Sequence, residues 1–328
     1  MLQAEAWAIF VVIVCLLLAL DLGVFNRKEH IITAKEAALT TCFWIFVALC
    51  FNVLVYFVYE NNWFELATHS QHLVNPGKTA ALEFFTGYLI ELSLSFDNVF
   101  VIAMLFAYFK IPQQYQHRVL FWGILGAIVF RGIMIVVGAA LVQKFDWIMY
   151  VFGALLIFSA LKMIFGKSEE FDADKNKLIR FVRKIYPISK DFDGNKFFTR
   201  IDGKRALTPL MLALIVIEFT DILFAIDSIP AIFAITTDSF IVITSNIFAI
   251  LGLRSMYFML VSMLNKFRYL QKSLIILLLF IGVKMLLIHV PIVKEYMPTQ
   301  VSLLIIILIL GGGVVVSIYK DRKQKLQQ

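Results

Sequence analysis

Hydrophobic residues in this chain fall into nine long runs that polar stretches separate. Most of the runs contain about 20 or more mostly apolar residues, the length that an α-helix needs to cross a bilayer. They predict membrane-spanning helices over residues 4–25, 36–59, 80–109, 117–142, 147–165, 206–235, 240–264, 271–290 and 299–319. We expect the first run to be retained as a helix, because it lacks the basic start and small-residue cleavage site of a signal peptide.

The basic residues are distributed unevenly between the two sides that these spans define. Connections on one side, with the C-terminal tail, carry 23 Lys and Arg residues, and the connections on the other side carry three. Without the long connection over 166–205 the ratio is still 12 to 3. Because basic loops stay in the cytoplasm, we expect an outside N-terminus and a cytoplasmic C-terminus.

Composition agrees with a membrane protein. Hydrophobic residues make up 61% of the chain and charged residues 16%, against about 45–50% and about 25% in soluble domains. The net charge of +7 is explained by the basic inner connections, so the expected partner is the lipid bilayer and not a nucleic acid. Three cysteines, Cys15, Cys42 and Cys50, lie in apolar runs without CxxC spacing, and we infer no disulfide.

The order of polar residues within the spans repeats. In the first copy an acid precedes an acid–amide pair, an arginine and a lysine; these are Glu91, Asp97, Asn98, Arg131 and Lys162. The second copy has the matching series Asp221, Asp227, Ser228, Arg254 and Lys284. The two copies enter the membrane from opposite sides, which predicts an inverted 3+3 repeat with a substrate site near the bilayer midplane.

This repeat divides the chain into five parts. We predict two N-terminal transmembrane helices over 1–79, the first three-helix repeat over 80–165 and the second, inverted repeat over 206–290. Residues 291–328 hold the last transmembrane helix and a basic cytoplasmic tail. Between the repeats, 166–205 forms a cytoplasmic loop, and Asp202-Gly203 between β-prone residues indicates a short hairpin there. We favour a solvated connector over a regulatory domain for this loop.

Carboxylates inside the spans are the candidate functional groups. Each costs roughly 2.5–3.5 kcal/mol at a helix centre, so it needs a partner or a polar cavity. The candidates are Glu91, Asp97, Glu218, Asp221 and Asp227. They either form ion pairs with Arg131, Lys162, Arg254 and Lys284, or bind a cation, or do both. We favour structural counterions for the four bases over groups that an entering cation displaces. Asp21, near the inner end of the first span, is an interfacial residue or a gate.

The ligand atoms favour a hard cation. Carboxylate, Asn98 amide and Ser228 hydroxyl oxygens suit Mg²⁺, Ca²⁺ or Mn²⁺, and no His or Cys adjoins the acids in sequence, which argues against Zn²⁺ and Cu⁺. We further expect the third and sixth spans to be broken near Asn98 and near Pro230, so that free backbone carbonyls join the site.

Several motifs carry a resemblance to a known family. The stretches "GYLIELSLSFDNVFV", "EFTDILFAIDSIPAIFAIT", "SNIFAILGLRSMYF" and "GVKM" resemble the TerC/Alx family of integral membrane proteins, within the LysE-like transporter superfamily. The likeness extends from about Leu18 to the eighth span. It matches the five acids named above to the acidic positions of the family, and it departs at Leu92, where Alx-like sequences have a lysine.

The resemblance implies a multi-pass protein of the bacterial inner membrane that acts in metal homeostasis, especially Mn²⁺ export. The family is named for tellurium resistance, and Alx-like members for induction by alkali. We therefore expect an Mn²⁺ exporter that works by alternating access with proton exchange, with Mn²⁺ as transported ligand and no prosthetic group. We expect no enzymatic activity, because no nucleophile–base pair stands out. The alternatives are export of Ca²⁺ or an organic cation, and a membrane-bound redox modulator or stress-resistance scaffold.

Overall fold

A computed structural model describes residues 2–325 except 22–32, 70–74, 146, 166–176, 190, 202, 262–269, 288–289 and 291–295. The protein is almost entirely helical, and each of the nine apolar runs contains helix. The elements are α1 (Leu2–Leu20), α2 (Ala34–Glu60), α3 (Leu66–His69), α4 (Pro76–Tyr108), α5 (Gln113–Lys144), α6 (Ile148–Phe165), α7 (Lys177–Ile185), β1 (Phe198–Ile201), β2 (Lys204–Leu207), α8 (Pro209–Phe233), α9 (Ser239–Leu251), α10 (Leu253–Val261), α11 (Leu270–Leu286) and α12 (Thr299–Lys325). A 3₁₀ turn over Trp63–Glu65 precedes α3.

Seven of these helices are long and apolar enough to cross a membrane, or eight if α9 and α10 form one span bent by 43°. The bend lies at Gly252, between the two helices. The described part of α11 has 17 residues, which extend about 26 Å and fall short of a hydrocarbon core of about 30 Å. The chain is an all-α polytopic membrane protein, and the count of nine spans stays a prediction.

The outer surface of the bundle is apolar. Exposed large hydrophobic side chains cover one face of several helices, among them Val11, Leu16, Phe46, Val136, Phe158 and Leu308. Such a surface is costly in water and favourable against lipid chains. In contrast, every residue of α9 from Phe240 to Leu251 is buried, so α9 lies at the centre of the bundle.

The packing of the helices relates the two predicted repeats. Helix α4 packs on α9 and α5 packs on α8, while α4 meets α8 and α6 meets α11. The predicted repeats match α4 with α8, α5 with α9 and α6 with α11. Exchanging the matched helices turns the α4–α9 contact into the α8–α5 contact, and it leaves the α4–α8 and α6–α11 contacts unchanged. Helices α1, α2 and α12 lie around this six-element core, with α2 against α4 and α12 against α11. The inverted orientation of the repeats stays a prediction.

The predicted breaks in the third and sixth spans are wrong. Helix α4 runs without interruption through Asp97 and Asn98, and α8 runs three residues past Pro230 to Phe233. The amide of Asn98 donates to a carboxylate on α8 and so does not compete for backbone groups of α4. Pro230 lies in the last turn, where the helix loses one N–H donor and then ends, with the Ala234 N–H bonded to the Pro230 carbonyl at 3.1 Å.

The hairpin expected in the long connection is present. Strands β1 and β2 pair antiparallel, with Ile201 opposite Lys204, and Gly203 has the left-handed φ of +77° that such a turn needs. Nearby, the Thr199 hydroxyl and the Lys196 ammonium hold the pKa of Asp193 below its ordinary value. Thr208 follows β2 and caps α8, accepting from the Met211 N–H at 3.4 Å. The hairpin therefore fixes the start of the helix that carries three of the acids.

Candidate functional site

The guanidinium of Arg131 lies at the centre of a buried polar cluster. Arg131 projects from α5 and is 1% exposed. Its Nε and Nη2 donate to the two carboxylate oxygens of Asp221 on α8, at 2.9 and 2.7 Å. Its Nη1 forms an ion pair with Glu91 of α4, which is fully buried. The two acids that occupy matching positions in the predicted repeats therefore share one arginine.

Two further predicted site residues complete this cluster. The Asn98 amide donates to Asp221 Oδ1 at 3.3 Å, and the Ser228 hydroxyl oxygen lies 3.5 Å from Arg131 Nη1. The side-chain oxygen of Asn98 is buried and accepts no hydrogen bond from the described residues. A bidentate arginine–carboxylate pair restrains both partners geometrically as well as electrically. The cluster therefore ties α4, α5 and α8 together in the interior.

Glu218 is a third acid beside this cluster. It lies close enough to Asp221 for their charges to repel, and one of its carboxylate oxygens is buried without a hydrogen bond from the described residues. The carboxyl group occupies the space beside Gly126 of α5, where a Cβ atom would overlap it. Gly126, a residue that no sequence motif had indicated, therefore makes room for Glu218.

We expect Gly126→Ala to displace the Glu218 carboxyl and to lower the free energy of unfolding by about 1 kcal/mol, the low end of the usual cost of overpacking, because the displaced atoms end a flexible side chain. Thermal unfolding in detergent measures this change. Gly132→Ala on the same helix is the matched control, because no described atom outside the adjoining backbone of α5 lies within 4 Å of the added methyl group. We expect the control to be neutral or stabilising by up to about 1 kcal/mol. Equal midpoints in the two variants would contradict the assigned role of Gly126.

The second acid of each repeat lies apart from the arginine cluster. Asp227 accepts a hydrogen bond of 2.6 Å from Ser159 of α6 and lies near the positive charge of Lys162. Asp97 is half-buried and forms no hydrogen bond or ion pair with the part of the chain that the structure describes. The structure therefore does not join Asp97 and Asp227 in one site.

Arg254, the counterpart of Arg131 in the predicted second repeat, takes a different partner. It forms an ion pair with Asp21 at the end of α1, and its Nη1 lies 3.2 Å from His117 Nε2 of α5. Asp21 is 4% exposed, so its side chain faces the helix bundle and not the lipid interface. Hydropathy places Asp21 at the end of an apolar run but says nothing of the helix it faces. The pair ties α1 to the second repeat.

Lys284 and a further buried acid, Glu83, form a separate polar group. The Lys284 ammonium donates to the Ser302 hydroxyl of α12 at 2.8 Å and is attracted to Glu83 of α4. Glu83 was not among the predicted site residues, although an acid within the span 80–109 is itself a signal. Ser159 and Ser302 were not predicted either, because a serine in an apolar helix does not reveal its partner.

A cleft leads from the cluster toward the connection between α4 and α5. Its free space, including the mouth, is about 400 Å³. Asn98 and Asp221 line its deep end, Gly123 and Ala127 of α5 line one wall, and Leu105 marks its course toward the end of α4. Two of the predicted ligands, Asn98 and Asp221, thus border the deep end of this cleft.

No three acidic, His or Cys side chains converge as a ready-made metal site within the described part of the chain. Arg131 stands between Glu91 and Asp221, Glu218 lies beside this cluster, and Asp97 and Asp227 lie apart from it. Direct coordination of one cation by both Glu91 and Asp221 therefore requires Arg131 to move.

Comparisons with known proteins agree on one family. Residues 76–325 match the sequence model described as "Integral membrane protein TerC family". A similar protein is the uncharacterized membrane protein STKORF319 of Myxococcus xanthus, 46% identical over 316 residues, which cover 96% of this chain and 92% of the relative. Alx of Escherichia coli K12, named as a proposed membrane-bound redox modulator, is 46% identical over 290 residues, 87% of this chain and 88% of the relative. An uncharacterized membrane protein of Rickettsia bellii is 38% identical over 318 residues, 97% of this chain and all of the relative. No solved structure matches significantly.

Proposed function

The chain belongs to the TerC family of integral membrane proteins, and we propose that it exports a divalent cation, foremost Mn²⁺, by alternating access. The observation that carries this proposal is the buried cluster around Arg131. Glu91 and Asp221 come from the two repeats and share one guanidinium, while Glu218 adds a third carboxylate beside them. With all three ionised, one positive charge opposes three negative ones, and a divalent cation would balance the remainder.

The chemistry of these groups supports a hard cation. The side-chain oxygens that form the cluster come from carboxylates, the Asn98 amide and the Ser228 hydroxyl, and Mn²⁺, Mg²⁺ and Ca²⁺ bind such oxygens. A buried charge that is left without compensation is costly. Arg131 therefore compensates the acids in the absence of cation, and a cation that enters competes with it. Asp97 and Asp227 approach the cation only after the helices rearrange.

The cleft supports access from one side. With the orientation that the basic residues predict, the connection between α4 and α5 faces the cytoplasm, so the cleft leads inward from the acids. We propose the bacterial inner membrane as location and an inward-open conformation for this structure. Proton exchange drives export in this scheme, with a carboxylate taking up the returning proton after the cation leaves.

Mn²⁺ should stabilise the purified protein against heat, because a ligand that binds only the folded state raises the free energy of unfolding. The gain is about 2.7 kcal/mol at a concentration of 100 times Kd. Thermal unfolding in detergent with increasing Mn²⁺ measures it. Asp193→Asn, in the exposed connection, is the control and should respond as the wild type does. An unchanged midpoint at millimolar Mn²⁺ would argue against a cation site.

A competition series in proteoliposomes identifies the ion. Mn²⁺ uptake by the reconstituted protein is measured with excess Mg²⁺, Ca²⁺ or lysine outside the vesicles. Strong competition by Ca²⁺, or by an organic cation, would assign the protein to that substrate and not to Mn²⁺.

The name of the Escherichia coli relative favours a second candidate, a membrane-bound redox modulator. The chain contains three cysteines, all free and exposed on the apolar surface of α1 and α2. This function predicts no cation flux, recovery of partner proteins with the 166–205 connection, and loss of the redox effect when Cys15, Cys42 and Cys50 are all replaced by alanine. A cation exporter transports normally without these cysteines.

A further inference from the structure

Asn246 is a buried amide without a described partner. It lies in the middle of α9 and is 0% exposed. Neither its oxygen nor its nitrogen forms a hydrogen bond within the described part of the chain. Burying an amide in this way costs free energy, and such groups in folded proteins call for an explanation. The neighbouring Thr244 and Ser245 differ, since their hydroxyls bond to carbonyls of α9 itself.

The repeat gives Asn246 a counterpart that lines the cleft. Asn246 precedes Arg254 by eight residues, and Gly123 precedes Arg131 by eight residues. Gly123 faces the cleft that leads to Asp221. Alignment of the two predicted repeats also matches four other residues that line the cleft with four buried residues. The pairs are Leu120 with Ile243, Ile124 with Ile247, Ile217 with Gly87 and Ile102 with Ile232.

The counterpart face is closed in this structure. Ile243, Ile247 and Ile232 are each at most 7% exposed. At Gly87 the helices are so close that an added Cβ would lie 2.9 Å from Ser245 Oγ and 3.4 Å from Ile232 Cγ2. Helices α4, α8 and α9 therefore touch along the surface where a second cleft would open.

We propose that Asn246 lines the outer half of the cation path and offers its amide oxygen to the divalent cation when α9 separates from α4 and α8. This inference rests on the proposed export function and adds a residue to the path. In the closed conformation the polar atoms of Asn246 form no hydrogen bond with the described residues. In the open conformation Asn246 borders a cleft, as Gly123 does in this structure. Its amide oxygen suits the same hard cation as the acids.

The first test replaces the amide with a side chain of similar size that has no oxygen. We expect Asn246→Leu to unfold at the wild-type temperature or higher, since no orphaned amide is buried, and to lose Mn²⁺ flux in proteoliposomes by at least about tenfold. Thr244→Val on the same helix is the control and should transport at the wild-type rate, because its hydroxyl is already bonded to the Phe240 carbonyl. Normal flux in Asn246→Leu, with a raised midpoint, would show a purely structural amide and overturn the inference.

The second test measures access, and it needs no flux from the variants. Cysteines are introduced as Asn246→Cys and Gly123→Cys in a chain with Cys15, Cys42 and Cys50 replaced by alanine. A membrane-impermeant thiol reagent should label residue 246 from the outer side and residue 123 from the inner side. Failure to label residue 246 from the outer side, where residue 123 is labelled from within, would overturn the proposal. If the wild-type protein moves no cation, that result contradicts the proposed export function and not the position of Asn246.

Discussion

Replacing Arg131 with methionine should lower the free energy of unfolding by about 3–5 kcal/mol, the usual cost of removing one partner from a buried ion pair. Methionine fills a similar volume but leaves Glu91 and Asp221 buried without a counter-charge. Thermal or denaturant unfolding in detergent measures the loss. Arg131→Lys keeps the charge but not the paired hydrogen bonds, and its stability should lie between those of the methionine variant and the wild type.

Mn²⁺ should stabilise Arg131→Met more strongly than it stabilises the wild-type protein. With the guanidinium removed, the cation is the remaining positive charge for the two acids, so Mn²⁺ should raise the midpoint further in Arg131→Met than in the wild type. Arg205→Met, at an exposed position of the hairpin, controls for the substitution itself and should change stability by less than about 0.5 kcal/mol. Wild-type stability in Arg131→Met would refute the central position of this arginine.

Asp97→Asn and Asp227→Asn should each abolish Mn²⁺ flux while the protein stays folded. Both acids lie outside the arginine cluster, so neither substitution breaks the bonds that join α4, α5 and α8. Loss of a group that merely supports a metal site already costs about 10–100-fold in affinity, and loss of a direct ligand should cost at least as much. Initial rates of Mn²⁺ movement in proteoliposomes, at equal protein density, measure the effect.

Asp193→Asn is the control for these two variants. It also exchanges an aspartate for asparagine, but in the exposed connection next to Lys196 and Thr199. Its flux should equal that of the wild type. Unchanged flux in both Asp97→Asn and Asp227→Asn would remove these residues from the cation site and leave only the cluster at Arg131.

The apolar runs predicted where helices form, since hydropathy directly reports burial in lipid. They did not predict the bend at Gly252, because the run over 240–264 is apolar throughout and the direction of each half depends on its neighbours. The breaks expected at Asn98 and Pro230 were wrong for the same reason. A local residue type allows a break, but whether it occurs depends on the partners that tertiary contacts supply.

The repeat predicted matching roles for Glu91 and Asp221, and the structure brings both to Arg131. It did not predict that Arg254 would bind Asp21, because this acid lies outside both repeats and its helix is joined to them only in three dimensions. Similarly, the contact between Glu218 and Gly126 depends on how α5 and α8 pack. The order of residues in the sequence thus indicated which polar residues are candidates for the site. The partner of each residue depended on helix packing.

The most direct test of the central claim is Mn²⁺ flux by the wild-type protein in sealed liposomes. The export function predicts Mn²⁺ movement that depends on the protein, saturates with Mn²⁺ concentration and is lost in Asp227→Asn. Folded wild-type protein that moves neither Mn²⁺ nor another hard divalent cation, with or without a proton gradient, would contradict it.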